Sequence, residues 1–246
     1  MTLIPKKDKN RLFLKNWRPI TLLNTDYKII ARILSSRIQK VLPYVINEDQ
    51  TGYIKGRFIG QNIRIIEDVL YFVEQKKLPG IILTIDFEKA FDSVNWSFIF
   101  KSLKLFNFGE RFQKWVKIMY TNISSAVINN GNVSNWFNPS RGVRQGCPLS
   151  AYLFIIVAEV LACKIRQDKN IKGIEIAGRV IKISQLADDT TCVIDGPDSL
   201  KHLLNTFRLF AQCSGLKINI EKTTAKYIGT LKNSRLLSSW LVLDQG

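Results

Sequence analysis

Three aspartates are the residues of this chain best suited to chemistry. Asp188 and Asp189 are adjacent in Leu186-Ala187-Asp188-Asp189, at the tip of an expected β-hairpin, and Asp86 ends the strand-like run Ile81-Ile82-Leu83-Thr84-Ile85-Asp86. Carboxylates with no histidine or cysteine cluster beside them are oxygen ligands for a hard divalent cation, Mg²⁺ first and Mn²⁺ as a substitute. They occur in a chain of 246 residues with 36 Lys+Arg against 20 Asp+Glu, a formal net charge of +16. An acidic metal site inside a strongly basic protein points to a phosphate polyanion as substrate, with metal for the reacting phosphate and basic surface for the rest. Two cations roughly 4 Å apart would divide the work, one acidifying an attacking hydroxyl and one neutralising charge on the leaving phosphates. Taken alone, the three residues also admit a plainer reading, since Asp-Asp is an ordinary turn dipeptide and an aspartate can simply end a strand.

Asp86 and Asp188 lie far apart in sequence, so the strand that ends at Asp86 must neighbour the hairpin in one sheet. The elements needed are legible from periodicity. One helix is expected from Asp26 to Leu42, with Ile29, Ile30, Ile33, Leu34, Ile38, Val41 and Leu42 on its buried face and Pro43 ending it. A second runs from Gln61 to Lys77, followed by a buried strand at Ile81–Phe87, helical stretches at Trp96–Phe106 and Arg111–Tyr120, and a short strand near Ala126–Asn129. Leu149–Gln167 is apolar nearly all round, as in a helix packed beneath a sheet. Strands are expected at Arg179–Leu186 and Thr190–Ile194, a helix from Pro197 to Gly215, and strands at Leu216–Ile220 and Ala225–Ile228. Mixed in this order, the elements form an α+β fold with an antiparallel sheet backed by helices.

Half of the positive excess lies in the first forty residues, where a solvated helical face and a loose basic arm would account for it. Cys147, Cys163, Cys192 and Cys213 lack zinc-site spacing and are expected as buried reduced thiols. The start has no apolar leader segment, and the longest apolar stretch, Ala151 to Cys163, is too short to span a bilayer and carries Glu159. A soluble intracellular protein, nuclear or cytoplasmic, with no membrane partner is the expectation.

Six longer strings, in order, carry a family resemblance. Asn16-Trp17-Arg18-Pro19-Ile20-Thr21-Leu22-Leu23-Asn24 and Thr51-Gly52-Tyr53-Ile54-Lys55-Gly56-Arg57 resemble the two fingers motifs of non-LTR retrotransposon (LINE-type) reverse transcriptases. Thr84-Ile85-Asp86-Phe87-Glu88-Lys89-Ala90-Phe91-Asp92-Ser93-Val94 resembles polymerase motif A, and Arg141-Gly142-Val143-Arg144-Gln145-Gly146-Cys147-Pro148-Leu149-Ser150 resembles motif B. Leu186-Ala187-Asp188-Asp189-Thr190 resembles motif C, and Gly215-Leu216-Lys217-Ile218-Asn219-Ile220-Glu221-Lys222-Thr223 motif D. The resemblance covers about Leu3 to Gly229 and implies an RNA-directed DNA polymerase working on an RNA template, a DNA primer and deoxynucleoside triphosphates. Asp86, Asp188 and Asp189 would then be the catalytic, metal-binding carboxylates. Arg18, Phe87, Phe91, Gln145, Gly146 and Lys222 would meet the nucleotide, Phe91 as the gate against a ribose 2′-hydroxyl and Lys222 as proton donor to pyrophosphate. Lys6, Lys7, Arg57 and Arg144 would contact nucleic acid.

The implied organisation is fingers over 1–78, palm over 79–93, a second fingers part over 94–139, and palm over 140–246 ending at the start of a thumb connection. Leu186 stands where the family usually has an aromatic residue, which bears on positioning of the primer end rather than on metal binding. Only about seventeen residues follow Gly229, so a fingers-palm piece of a larger element protein is expected, with Leu231, Leu236, Leu237, Trp240 and Leu241 beginning the thumb contact. Two alternatives stand beside this reading: a group II intron-type reverse transcriptase, and a non-catalytic nucleic-acid-binding remnant. The residues leave the oligomeric state open.

Overall fold

The structure, a computed structural model, describes residues 1–232. Of the apolar residues assigned to a thumb contact, Leu236, Leu237, Trp240 and Leu241 lie outside that range. The first strands, β1 (Thr2–Pro5) and β2 (Trp17–Ile20), pair antiparallel. The expected loose basic arm is therefore a hairpin, because Leu3, Ile4, Trp17 and Ile20 supply the apolar and β-branched residues that a pleated surface favours. Three helices follow, α1 (Thr25–Ile38), α2 (Leu42–Val45) and α3 (Ile59–Lys76). Pro43 does not stop a long helix; it sits in the first turn of α2, where its missing N–H has no partner to lose.

In α1 the helical period holds but the buried face differs from the expected one. Ala31, Leu34, Ser35 and Ile38 turn inward, while Ile29, Ile33 and Val41 are exposed. Small residues decide this: Ala31 and Ser35 allow close packing, and the Ser35 hydroxyl donates to Ala31 O at 2.6 Å, so it can be buried at little cost.

Next come β3 (Pro79–Ile85), α4 (Ala90–Ser93), α5 (Trp96–Leu105), α6 (Glu110–Met119) and the small hairpin β4 (Ile128–Asn129) and β5 (Asn132–Val133). The remaining elements are α7 (Ser150–Gln167), β6 (Ile174–Ile176), β7 (Arg179–Ile181), β8 (Ile183–Leu186), β9 (Asp189–Ile194), α8 (Pro197–Ser214) and β10 (Thr224–Gly229). The expected strand Arg179–Leu186 is split at Lys182, with β7 pairing β6 and β8 pairing β9. Lys182 turns out of the strand to donate to Arg166 O (2.9 Å) and Asp168 O (2.8 Å) at the C-terminal end of α7. Leu216–Ile220 is not a strand; Ile218 makes one isolated bridge to Phe87.

The site-bearing sheet has the order β10-β3-β9-β8 and is antiparallel throughout. Alternate residues of its strands feed two cores. Ile81, Leu83, Ile85, Cys192 and Ile194 join α7 and α8 residues such as Phe154 and Phe207, whereas Ile82, Val193 and Ile228 join Val69 and Val73 of α3. Helices thus cover both faces, which explains why Ile81, Ile82 and Leu83 are apolar in succession although they alternate between faces. Among the described residues no helix is long and apolar enough to cross a membrane. All four cysteines are free, but only Cys147 and Cys192 are buried; Cys213 is exposed and Cys163 half-buried.

Candidate active site

The register of β3 on β9 ends with Ile85 opposite Thr190, so Asp86 and Asp189 emerge next at the same end of the sheet. Between β8 and β9 a two-residue turn, Ala187-Asp188, carries the third carboxylate, with Leu186 paired to Asp189. The neighbouring strands that the sequence separation of Asp86 and Asp188 demanded are present. On the other side of β3, β10 brings the segment before it alongside Asp86. Asn219 Nδ2 donates to Asp86 Oδ2 at 3.0 Å, Lys222 Nζ lies 3.3 Å from the same oxygen, and the Asp86 N–H donates to Thr223 Oγ1 at 3.4 Å.

The electrostatics of the cluster are unbalanced. Burial holds the Asp188 carboxyl above the ordinary carboxylate range, and the charges of Asp189 and Asp86 push it the same way. Among the described residues no three histidine, cysteine or acidic side chains close into a ready cage for an ion. The donor set nevertheless suits a hard divalent cation: its members are oxygen-only, repel one another, and among the described residues have Lys222, on Asp86, as their direct cationic partner.

A ring of cations gathers about Lys6, with Asp86 in electrostatic reach of it. The Lys6 ammonium is pushed below its usual range, first by partial burial and then by Lys222, Arg18 and Lys89, with Asp86 opposing. Lys222, Arg18 and Lys89 all lie within electrostatic reach of Lys6, and such a gathering of charge favours an anion. Lys89 and Asn219 were not singled out from the motifs, although both lie inside the quoted strings. Asn219 N donates to Asp86 O at 2.7 Å and is tied to the Asp86 strand end, while Lys89 has φ 46°, left-handed, at the start of α4.

The loop before α7 closes the other side. Gln145 Nε2 donates to Asp92 Oδ1 at 2.9 Å and Gln145 O accepts from Thr21 N at 2.9 Å, which ties this loop both to α4 and to the segment after Arg18. Gly146 has φ 100° and leaves only 3.1 Å between a would-be Cβ and Thr21 O, so this close passage fits glycine alone. Phe91 is half-buried, its ring stacked on Phe154 with centroids 4.5 Å apart. Phe87 is placed differently: it is buried and packs against Phe207 in the core.

The residues expected on nucleic acid divide likewise. Lys7 is exposed and Lys6 borders the ring of cations. Arg144 lies over the Tyr27 ring, 4.4 Å from its centroid. Arg57 is spent on backbone carbonyls, donating to Gln50 O at 2.8 Å and Ile46 O at 3.0 Å, and so braces the loop before α3.

The chain matches the reverse transcriptase (RNA-dependent DNA polymerase) family over residues 4–237. It belongs to that family. An uncharacterized 149 kDa protein of transposon TX1 from Xenopus laevis is 36% identical over 94% of this chain, and this chain spans 18% of its length. A retrovirus-related Pol polyprotein from the type-1 retrotransposable element R2 of Popillia japonica is 27% identical over 91% of this chain, which spans 31% of that protein. With a further relative in the mobile element jockey of Drosophila funebris, the resemblance to LINE-type reverse transcriptases holds.

Among solved structures, a Candida tropicalis telomerase aligns with a TM-score of 0.58 at 14% identity, covering 80% of this chain and 33% of the telomerase. The RNA-dependent RNA polymerase of a human picobirnavirus aligns with a TM-score of 0.58 at 13% identity, covering 86% and 38%. At such low identity these two speak for the fold alone, a polymerase fold of fingers and palm.

Proposed function

We propose that this reverse transcriptase chain extends a DNA primer on an RNA template with deoxynucleoside triphosphates, at the end of the β10-β3-β9-β8 sheet. The observation that carries the reading is the convergence of Asp86, Asp188 and Asp189 on one sheet end, with Lys222 on Asp86 and Lys6 in electrostatic reach of Asp86, Lys222, Arg18 and Lys89. The primer 3′-oxygen attacks the α-phosphorus, the bond to the bridging oxygen of pyrophosphate breaks, and the hydroxyl proton passes to solvent water. Asp86 and Asp188, with Asp189 beside them, would hold Mg²⁺, or Mn²⁺ in its place. When bound, the metal lowers the pKa of the attacking hydroxyl and neutralises the leaving phosphates.

The protein's own groups supply the rest. Arg18 offers a planar guanidinium to triphosphate oxygens, and Lys6 and Lys89 add charge around it. Lys222, free to leave Asp86 once that carboxylate has another partner, protonates the departing pyrophosphate. Gln145 and Gly146 shape the nucleotide pocket, and Phe91 fills the space of a ribose 2′-hydroxyl. We assign the fingers to 1–78 and 94–139 and the palm to 79–93 and the segment from 140.

Primer extension on an RNA template with Mg²⁺ tests the reading. Asp86→Asn and Asp188→Asn should each abolish extension while circular dichroism shows a folded chain, because an amide lacks the charge to hold the cation. Extension by Asp188→Asn at the wild-type rate would remove the assignment.

A further inference from the structure

Gln50 is completely buried, and both ends of its side-chain amide are used. Oε1 accepts from Ala187 N and from Gly52 N, each at 2.8 Å, and Nε2 donates to Ala187 O at 3.1 Å. One primary amide thus pairs both backbone groups of a single residue, as a neighbouring strand would, at the turn between β8 and β9. Ala187 has φ 58°. That left-handed conformation disfavours any residue with a Cβ, and hairpin turns that need it usually take glycine, asparagine or aspartate.

The chain around Gln50 is built to the same turn. Gln185 N donates to Asp49 O at 2.7 Å and Thr51 N to Gln185 O at 2.9 Å, so this segment lies along the free edge of β8 and continues past its end. At Gly52 a Cβ would stand 2.4 Å from Ala187 N, so only glycine lets the two backbones come this close. Asp188 is the next residue, and any rotation about the Ala187 backbone swings its carboxylate relative to Asp86.

We propose that Gln50 is a positioning residue for the acidic pair: its amide holds Ala187 in the left-handed conformation and thereby sets Asp188 against Asp86 for a divalent cation. The proposal rests on the reading of Asp86 and Asp188 as metal ligands. It requires an amide at position 50. Glutamate could accept from Ala187 N–H but could not donate to Ala187 O, whereas methionine keeps the length and loses all three bonds. A residue that merely filled the core would tolerate methionine, since volume-conserving exchanges cost little.

The test uses the full chain as wild type, Gln50→Met, Gln50→Met with Ala187→Gly, and Asp188→Asn. Two quantities are read that do not depend on turnover: Mn²⁺ binding by electron paramagnetic resonance and hydrogen exchange of the Ala187 amide. In the wild type the Ala187 amide should be protected although it lies in a turn, and in Gln50→Met it should exchange at least about tenfold faster as its only acceptor is lost. Mn²⁺ affinity should fall about 10- to 100-fold, the usual effect of removing a group that orients metal ligands. Ala187→Gly, which enters the left-handed region freely, should return part of that affinity.

A purely structural role would lower the thermal midpoint and leave the Mn²⁺ affinity of the folded protein unchanged. That result overturns the proposal, as does a loss that Ala187→Gly does not restore. Should Gln50→Met fail to fold, exchange in the wild type decides: a protected Ala187 amide supports the clamp, and exchange at an open turn's rate overturns it. Asp188→Asn separates the two layers. If it binds Mn²⁺ like the wild type, the metal reading fails, while Ala187 exchange still reports whether Gln50 holds the turn.

Discussion

At Phe91 two demands meet in one ring: one face stacks on buried Phe154, and the side chain keeps part of its surface exposed. If the ring fills the space of a 2′-hydroxyl, Phe91→Val should raise the kcat/KM for ribonucleotides relative to deoxynucleotides, since that ratio reads differential transition-state binding. A packing role alone would cost about 3–5 kcal/mol on truncation to alanine and depress both sugars together. Measuring both sugars on one folded variant separates these, and an unchanged ratio in Phe91→Val would take Phe91 out of the pocket. Lys89 offers a second reading at this scale. Lys89→Gln should raise KM for the triphosphate with a smaller effect on primer-template affinity, because its charge acts on Lys6 and Asp92 beside the candidate site. Equal losses in both would place Lys89 on the nucleic acid instead.

Between elements, the loop before α3 is joined to α7 by a buried charge group. Arg166 pairs with Asp49 at 2.7 Å and with Glu159, while Asp49 Oδ1 and Glu159 Oε2 find no hydrogen-bond partner among the described residues. Burial pushes both carboxyls up, although Arg166 pulls them down. The native state therefore holds these protons more tightly than the unfolded chain does. This share of stability is complete below the ordinary carboxylate pKa of about 4 and is lost as pH rises through the elevated native values. Glu159→Gln removes one titrating group and keeps an acceptor for Arg166. The thermal midpoint of the wild type relative to this variant should accordingly fall as pH is raised from about 4 toward neutrality. A constant difference across that range would show that Glu159 is ionised at no cost.

Over the whole molecule the net charge of +16 is the dominant long-range property. Lysines and arginines that touch phosphates release condensed counterions, so primer-template binding should weaken steeply with salt. With about five phosphates neutralised, affinity should drop two to three powers of ten between about 50 and 200 mM salt. A filter-binding or anisotropy titration at several salt concentrations gives the slope directly. A flat response would mean that the basic excess is only solvated surface. The ring of Lys6, Arg18, Lys89 and Lys222 belongs to a shorter range, and neutralising Lys89 should leave the slope nearly unchanged.

The chemistry was legible in the chain because its parts are local. An aspartate ending a buried strand, an Asp-Asp hairpin tip, and glycines and prolines at fixed offsets each declare a backbone conformation or a ligand type within a few residues. The order of six such strings then carried the family, and the order of helical and strand periods the α+β class. What stayed illegible depends on partners far along the chain. The inward face of α1 follows Ala31 and Ser35 rather than the larger isoleucines, because the fit against a surface built elsewhere outweighs hydrophobicity summed along one helix. The break at Lys182 follows from carbonyls at the end of α7, and the hairpin of β1 and β2 from pairing across the segment 6–16 and with β4. Gln50 reads as an unremarkable polar residue beside a motif. Its role appears only where folding lays it against Ala187, since a hydrogen bond between distant residues leaves no periodic trace in either segment.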